Sequence, residues 1–92
     1  MKNTLKLEVK MLQKQKFKIS EIYVPVKKMK QLDTSRVTEI AEGILEGENI
    51  VPIRVRSGDK RYVLIKGLHT LEALKALGEE EIEGYLTRAQ LH

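Results

Sequence analysis

The chain of 92 residues contains no cysteine and no tryptophan, and its aromatic residues are limited to three tyrosines and one phenylalanine. Without cysteine it has no disulfide, no thiolate ligand for a metal and no thiol nucleophile. No apolar run approaches the roughly 18 residues that a membrane span requires, and the basic N-terminus lacks the apolar stretch of a secretory signal. These absences lead us to expect a soluble cytoplasmic protein whose core is built from Leu, Ile and Val.

Metal and catalytic residues are also scarce. The chain has two histidines, His69 and His92, and the second lies at the terminus. The glutamates at positions 39, 42 and 46 have the spacing of an ordinary polar helix face. We therefore predict no metal site and assign no catalytic residue.

Positive charge is concentrated at one end of the chain. Residues 1–36 carry ten lysine and arginine side chains against three acidic ones, a net charge of +7, whereas residues 37–92 carry a net charge of −3. This asymmetry favours a polyanionic partner such as DNA, although a solvated lysine face that protects an edge strand is an equal alternative. The candidate nucleic-acid contacts are Lys14, Lys16, Lys18, Arg54 and Arg56.

The N-terminal part of the chain is predicted to be extended. Leu5, Leu7, Val9 and Met11 alternate with polar residues, which predicts a half-buried strand. This strand either closes the sheet of its own molecule or pairs with a second copy in a homodimer. In chain order we then expect a turn over 13–16, a short strand over 17–19, extended chain over 22–24 and a basic loop over 26–32.

Two helices and a hairpin follow. The first helix presents an apolar stripe at helical spacing, with an N-cap within 33–35 and Gly47 after its end; its stripe consists of Val37, Ile40, Ala41, Ile44 and Leu45. Residues 53–56 and 61–66 form a hairpin around a turn at 57–59. The second helix begins at 69–70, ends at Gly78 and buries Leu71, Ala73, Leu74 and Leu77. A last strand covers 82–87.

This order of elements predicts an α+β fold, a small mixed sheet with two main helices. We expect a single domain over residues 1–92, with a basic strand extension at 1–16 and a core at 17–87. No repeat or interdomain linker divides the chain.

The junction between the apolar strand and the second helix is the best candidate site. Gly67 stands between them, so the unpaired backbone N–H groups of the helix start point beyond the strand end. Such a position favours a phosphate or another anion. His69 stands at the mouth of this site, where its ring is placed to donate a hydrogen bond to a phosphate.

Four segments in this order resemble the ParB/sulfiredoxin-like domain family. They read ISEIYVP at 19–25, LDTSRVTEIAEGI at 32–44, NIVPIRV at 49–55 and LIKGLHTLEALKALG at 64–78. The resemblance implies nucleotide phosphates at the strand–Gly–helix junction, with CTP or ATP and Mg²⁺ as the expected ligand. The residues that it assigns to phosphate or nucleotide binding are Gly67, Leu68, His69, Thr70, Arg36, Lys28 and Lys30.

Departures from the family pattern reduce the number of functions that the resemblance allows. Leu68 occupies the position of the catalytic cysteine of sulfiredoxins, so that repair chemistry is excluded. Thr70 stands where the motif has arginine, and Lys66 where many relatives have an acidic residue. We also expect no counterpart of the helix–turn–helix of ParB after the last strand. We therefore expect a ParB-like, nucleotide-phosphate-binding regulatory module, associated with DNA through its basic N-terminal part. A nucleotide-using enzyme (a small-molecule kinase or a ParB-like nuclease) and a degenerate scaffold for protein contacts remain open.

Overall fold

A computed structural model describes residues 14–87 of the chain. The predicted strand over 5–11, and with it the prediction of strand pairing in a homodimer, lies outside the described residues. The same holds for His92. Within residues 14–87, no helix is both long and apolar enough to cross a membrane.

The described residues form one mixed sheet of five strands with helices packed against it. The strands follow the order β1-β5-β3-β4-β2; the pairs β1–β5 and β3–β4 are antiparallel, and β3–β5 and β2–β4 are parallel. This is the α+β fold with two main helices expected from the sequence. The elements are β1 (Gln15–Lys18), a 3-10 turn (Ile19–Glu21), β2 (Ile22–Tyr23), α1 (Val26–Met29), α2 (Thr34–Leu45), β3 (Ile53–Ser57), β4 (Tyr62–Lys66), α3 (Leu68–Ala76) and β5 (Glu81–Thr87).

Several local predictions were wrong. Gln15 and Lys16 belong to β1 rather than to a turn, because pairing with β5 places Lys16 opposite Glu83 and Phe17 opposite Ile82. The predicted basic loop contains α1, whose first backbone hydrogen bonds run from residues 28 and 29 back to the carbonyl of Pro25. Helix α3 begins at Leu68, before the expected 69–70, because Gly67 already acts as its N-cap.

The core lies between the sheet and the two longer helices. As predicted, α3 buries Leu71, Ala73 and Leu74. Leu45 is an exception to the predicted stripe of α2, because its side chain is 74% exposed at the last helical residue. The remaining buried apolar side chains are Phe17, Ile19, Ile22, Ile53, Val55, Val63, Leu64, Leu68 and Ile82.

The sheet is strongly curled. β1 and β2 are its two edges, yet only the 3-10 turn of three residues joins them. In a flat sheet, four strand spacings would separate the edges by about 19 Å, whereas three residues of 3-10 helix rise only about 6 Å. The contact between Phe17 of β1 and Tyr62 of β4, with ring centroids 4.9 Å apart, confirms the curvature.

Candidate functional site

A groove of about 630 Å³ runs along α2 to the start of α3. Arg36, Ile40 and Ile44 form the α2 wall, and residues 48–52 form the rim between α2 and β3. The floor consists of the strand-end residues Arg54, Lys66 and Tyr85 and the first turn of α3, residues 67–70. The structure therefore places Arg36 in the same groove as Gly67, Leu68, His69 and Thr70, and their assignment to phosphate binding stays a prediction.

Gly67 is required by both conformation and space. Its φ of +109° lies in the region that favours glycine. A Cβ at this position would lie 2.6 Å from Cγ2 of Ile53, a fully buried side chain of β3. Gly67 therefore allows the chain to turn sharply from β4 into α3 directly above the core.

The N-terminus of α3 has no cap from a side chain. Its first intrahelical bond runs from the N–H of Leu71 to the carbonyl of Gly67, at 2.9 Å. The N–H groups of Leu68, His69 and Thr70 precede this bond and so have no partner within the helix. The Leu68 side chain is buried in the core, so only its backbone can serve the site.

The N-terminus of α2 is arranged differently. The Asp33 carboxylate accepts hydrogen bonds from the N–H groups of Ser35, at 3.0 Å, and Arg36, at 3.4 Å. This is an ordinary N-cap, in which a side chain supplies the negative charge that the helix start attracts. Of the two longer helices, α2 is thus closed by its own carboxylate, and α3 is left open towards the groove.

His69 joins the two helix starts. Its Nε2 accepts a hydrogen bond from the backbone N–H of Asp33, at 3.0 Å. An accepting Nε2 carries no proton, so the ring proton is on Nδ1. The imidazole is half-buried in this position. Only Nδ1–H therefore remains as a donor for a ligand, which limits the phosphate contact that the sequence suggested.

Three cations line the groove together with a single carboxylate, that of Glu48. Arg54 and Lys66 are paired across β3 and β4, and the strand register shifts beside Arg54; such irregularities re-aim side chains near functional sites. The Arg54 guanidinium also lies 5.8 Å from the ring centroid of Tyr85. Within residues 14–87, Arg36, Arg54 and Lys66 make no ion pair. The groove is therefore electropositive.

Other candidates lie elsewhere. Lys28 and Lys30, in and after α1, do not line the groove. On β1, Lys16 and Lys18 face Glu83 and Glu81 across the strand pair. Lys14 also approaches Glu83, with Nζ 3.6 Å from Oε1.

The strand arginines divide between two surroundings. Arg56 is exposed on β3 and donates a hydrogen bond to the carbonyl of Ser57. Arg54, a candidate nucleic-acid contact, lines the groove, and its contact with nucleic acid stays a prediction. Sequence reasoning also missed Tyr85 and Glu48 as groove residues. The register of the hairpin formed by β3 and β4 could have indicated Arg54 as a groove residue, because it pairs Arg54 with Lys66, the residue before Gly67.

Within residues 14–87, no group of three His, Asp or Glu side chains is arranged to hold a metal ion. The open N–H groups of α3 and the cationic side chains of the groove are chemically suited to the recognition of an anion.

The sequence matches the family model of the ParB N-terminal domain over residues 1–90. Among solved structures, sulfiredoxin from Arabidopsis thaliana superposes with a TM-score of 0.72 at 25% identity, covering 84% of this chain and 86% of that chain. No curated protein matches the sequence.

Two similar structures contain nucleotides. A truncated ParB from Caulobacter crescentus, complexed with CTP-γ-S, has a TM-score of 0.70 at 15% identity, covering 85% of this chain and 46% of that one. A free serine kinase variant in complex with ADP has a TM-score of 0.67 at 15% identity, covering 83% and 31%. The chain thus spans less than half of either protein, and these two likenesses show the fold alone.

Proposed function

Since the chain belongs to the family of ParB N-terminal domains, we propose that it is a regulatory module that binds the phosphate groups of a nucleotide at the start of α3. The structurally similar ParB and serine kinase hold CTP-γ-S and ADP. The proposed ligand is accordingly CTP or ATP with Mg²⁺.

The unequal capping of the two helices carries this proposal. The Asp33 carboxylate caps the N-terminus of α2. The N-terminus of α3 has no capping side chain and opens into the groove lined by Arg36, Arg54 and Lys66. A phosphate at Gly67 would accept hydrogen bonds from the N–H groups of the first turn and meet those cations. Hydrogen bonds to charged groups contribute about 1.5–3 kcal/mol each. The phosphate would thus supply negative charge and hydrogen-bond acceptors at the start of α3, as the Asp33 carboxylate does at the start of α2.

The rest of the groove suits the larger part of a nucleotide. Its volume of about 630 Å³ lies within the usual range of ligand pockets, roughly 300–1,000 Å³. Ile40, Ile44 and Pro52 provide apolar wall on one side, and the ring of Tyr85 lines the other. A base and its ribose would fit against these side chains while the phosphates remain at Gly67.

Binding is favoured over phosphoryl transfer. That reaction normally uses an acidic residue to orient the acceptor and further carboxylates to hold metal ions. Among the described residues, Glu48 supplies the only carboxylate that lines the groove. Thr70, in place of arginine, also removes a bidentate contact that would stabilise a transferring phosphoryl group. The proposal is therefore a binding module rather than an enzyme.

Association with DNA through the basic N-terminal part is a separate component of the proposal. Its support is the net charge of +7 on residues 1–36. Because Lys16 and Lys18 face glutamates on β5, each would have to exchange an intramolecular neighbour for a DNA phosphate. DNA association therefore has its own test, separate from the groove.

Thermal unfolding with nucleotides tests the groove. At a concentration 100 times its dissociation constant, CTP or ATP with Mg²⁺ should stabilise the protein by about 2.7 kcal/mol, a rise in Tm of roughly 10–20 °C for a domain of this size. Arg36→Ala should weaken binding about tenfold, the effect of losing about 1.4 kcal/mol. Lys75→Ala removes an exposed cation outside the groove and should leave affinity unchanged. If CTP, ATP, GTP and UTP all leave the Tm unchanged, the proposed function is wrong.

A further inference from the structure

The hydrogen bond between His69 and Asp33 connects residues 36 positions apart in the chain. It joins the start of α3 to the N-cap of α2, the two elements whose first turns border the groove. Among the side-chain hydrogen bonds of residues 14–87, it is the one that links these two helices.

We propose that His69 is a positioning residue: its unprotonated Nε2 fixes the start of α2, and with it Arg36, relative to the open N–H groups of α3. The inference rests on the proposed function, because it assigns Arg36 to the ligand. It differs from a direct role for His69, in which the ring itself contacts phosphate.

Asp33 is held by hydrogen bonds of both its backbone and its side chain. Its N–H donates to His69 at 3.0 Å, and its carboxylate accepts from the first-turn N–H groups of Ser35 and Arg36. Arg36 follows within the same turn, so a displacement of Asp33 displaces the Arg36 backbone with it. The Arg36 side chain is exposed and makes no ion pair within residues 14–87, so the position of its charge follows that of the α2 backbone.

The chain leading into α2 has little anchoring of its own. α1 has no buried residue, and its side chains Val26 and Met29 are exposed. Of the residues between α1 and α2, only Leu32 packs against the core. Elements with few buried contacts open most easily. The bond to His69 therefore supplies positional restraint where core packing supplies little.

Two amide substitutions separate positioning from direct ligand contact. In glutamine, Oε1 lies the same number of bonds from Cα as Nε2 does in histidine, so His69→Gln retains an acceptor for Asp33. In asparagine, the polar atoms instead match the reach of Nδ1. His69→Asn therefore preserves a group at the Nδ1 position and loses the bond to Asp33.

Hydrogen exchange of the Asp33 amide, measured by NMR on the full chain without ligand, tests the bond itself. Exchange should be slow in the wild type and in His69→Gln, and about tenfold faster in His69→Asn and His69→Ala. Equal exchange in all four proteins would overturn the inference. This readout involves no nucleotide, so it stands even if the proposed function fails.

Titration with MgATP and MgCTP by calorimetry tests the consequence for binding. His69→Gln should bind within about threefold of the wild type, and His69→Asn and His69→Ala about tenfold more weakly. Retained affinity in His69→Asn with loss in His69→Gln would show direct contact through Nδ1 and overturn the positioning role. Absence of binding by the wild type would instead reject the proposed function.

A double-mutant cycle with Arg36 completes the test. If His69 acts through Arg36, then Arg36→Ala should weaken binding about tenfold in the wild type but less than about threefold in the His69→Ala background. The same factor in both backgrounds would mean that the two residues act independently, which would overturn the inference.

Discussion

Gly67→Ala is the substitution whose cost the structure defines most closely. Gly67 has a φ of +109°, and an added Cβ would lie 2.6 Å from Cγ2 and 3.0 Å from Cβ of Ile53. Neither neighbouring atom can move freely, because Ile53 has no exposed surface. The alanine must therefore distort the turn from β4 into α3 or displace the centre of the core.

Three terms set the magnitude of the loss in stability. The left-handed backbone costs an alanine about 1–2 kcal/mol, and forcing a methyl group into a packed core costs about 1–3 kcal/mol. The lower entropy of the unfolded alanine chain returns about 0.4–1 kcal/mol. The free energy of unfolding should thus fall by about 2–4 kcal/mol, a large part of the roughly 5–15 kcal/mol typical of a domain.

Gly47 and Gly78 provide matched controls. Both have positive φ, +94° and +82°, but an added Cβ meets no atom within 4 Å at either position. Their alanine variants carry the backbone term alone and should lose about 1 kcal/mol. Urea unfolding followed by circular dichroism gives the three free energies directly. If Gly67→Ala loses no more stability than Gly47→Ala, the tight contact between Gly67 and Ile53 is refuted.

The remaining predictions concern the N-cap of α2 and the basic strand. Asp33→Ala should lower the free energy of unfolding by about 1 kcal/mol. Asp33→Asn retains a hydrogen-bond acceptor and should lose clearly less stability in the same urea experiment. Equal losses of stability in the two variants would show that the hydrogen bonds of the N-cap contribute nothing. Binding to duplex DNA should weaken steeply with salt, and replacing both Lys16 and Lys18 with glutamate should reduce the salt slope by about two. Affinity that does not change with salt would rule out lysine–phosphate contacts.

Local patterns in the sequence predicted the longer elements well. The spacing of Ile40 and Ile44, the N-cap candidates within 33–35 and Gly47 after the helix end predicted α2. The structure confirms this helix, with Asp33 as its N-cap and Gly47 at positive φ. These signals lie within one helix, so they do not depend on the rest of the chain. The end of the apolar stripe at Leu45 was wrong because burial there depends on what packs beside the last turn.

Elements with little apolar content were not visible in the sequence. The stretch around Lys16 has almost no hydrophobic residue and resembles a turn, yet pairing with a distant strand makes it an edge strand. α1 is a single turn with no buried side chain, so no periodic stripe could indicate it. In both places, contacts distant in sequence decide the local structure.

The site was predictable where its residues are consecutive. The segment from Gly67 to Thr70 follows directly from a strand ending at a glycine, and the structure brings Arg36 beside it. Arg54 depends on the register of a hairpin, and the bond from Asp33 to His69 closes a loop of 36 residues. Distances of that kind are set by the whole fold, so spacing along the sequence cannot supply them.

The place of β5 in the sheet has a consequence for synthesis on the ribosome. β5 is the last described strand in the chain, yet it lies between β1 and β3, with Gln15 opposite Gly84. Among the described strands, a nascent chain that has not yet reached residue 81 therefore lacks the partner of β1, and the β3 edge that β5 covers is open. Such long-range pairing slows folding, so the groove, which needs Tyr85 of β5 beside Arg54 of β3, should assemble only after the C-terminal strand has left the ribosome.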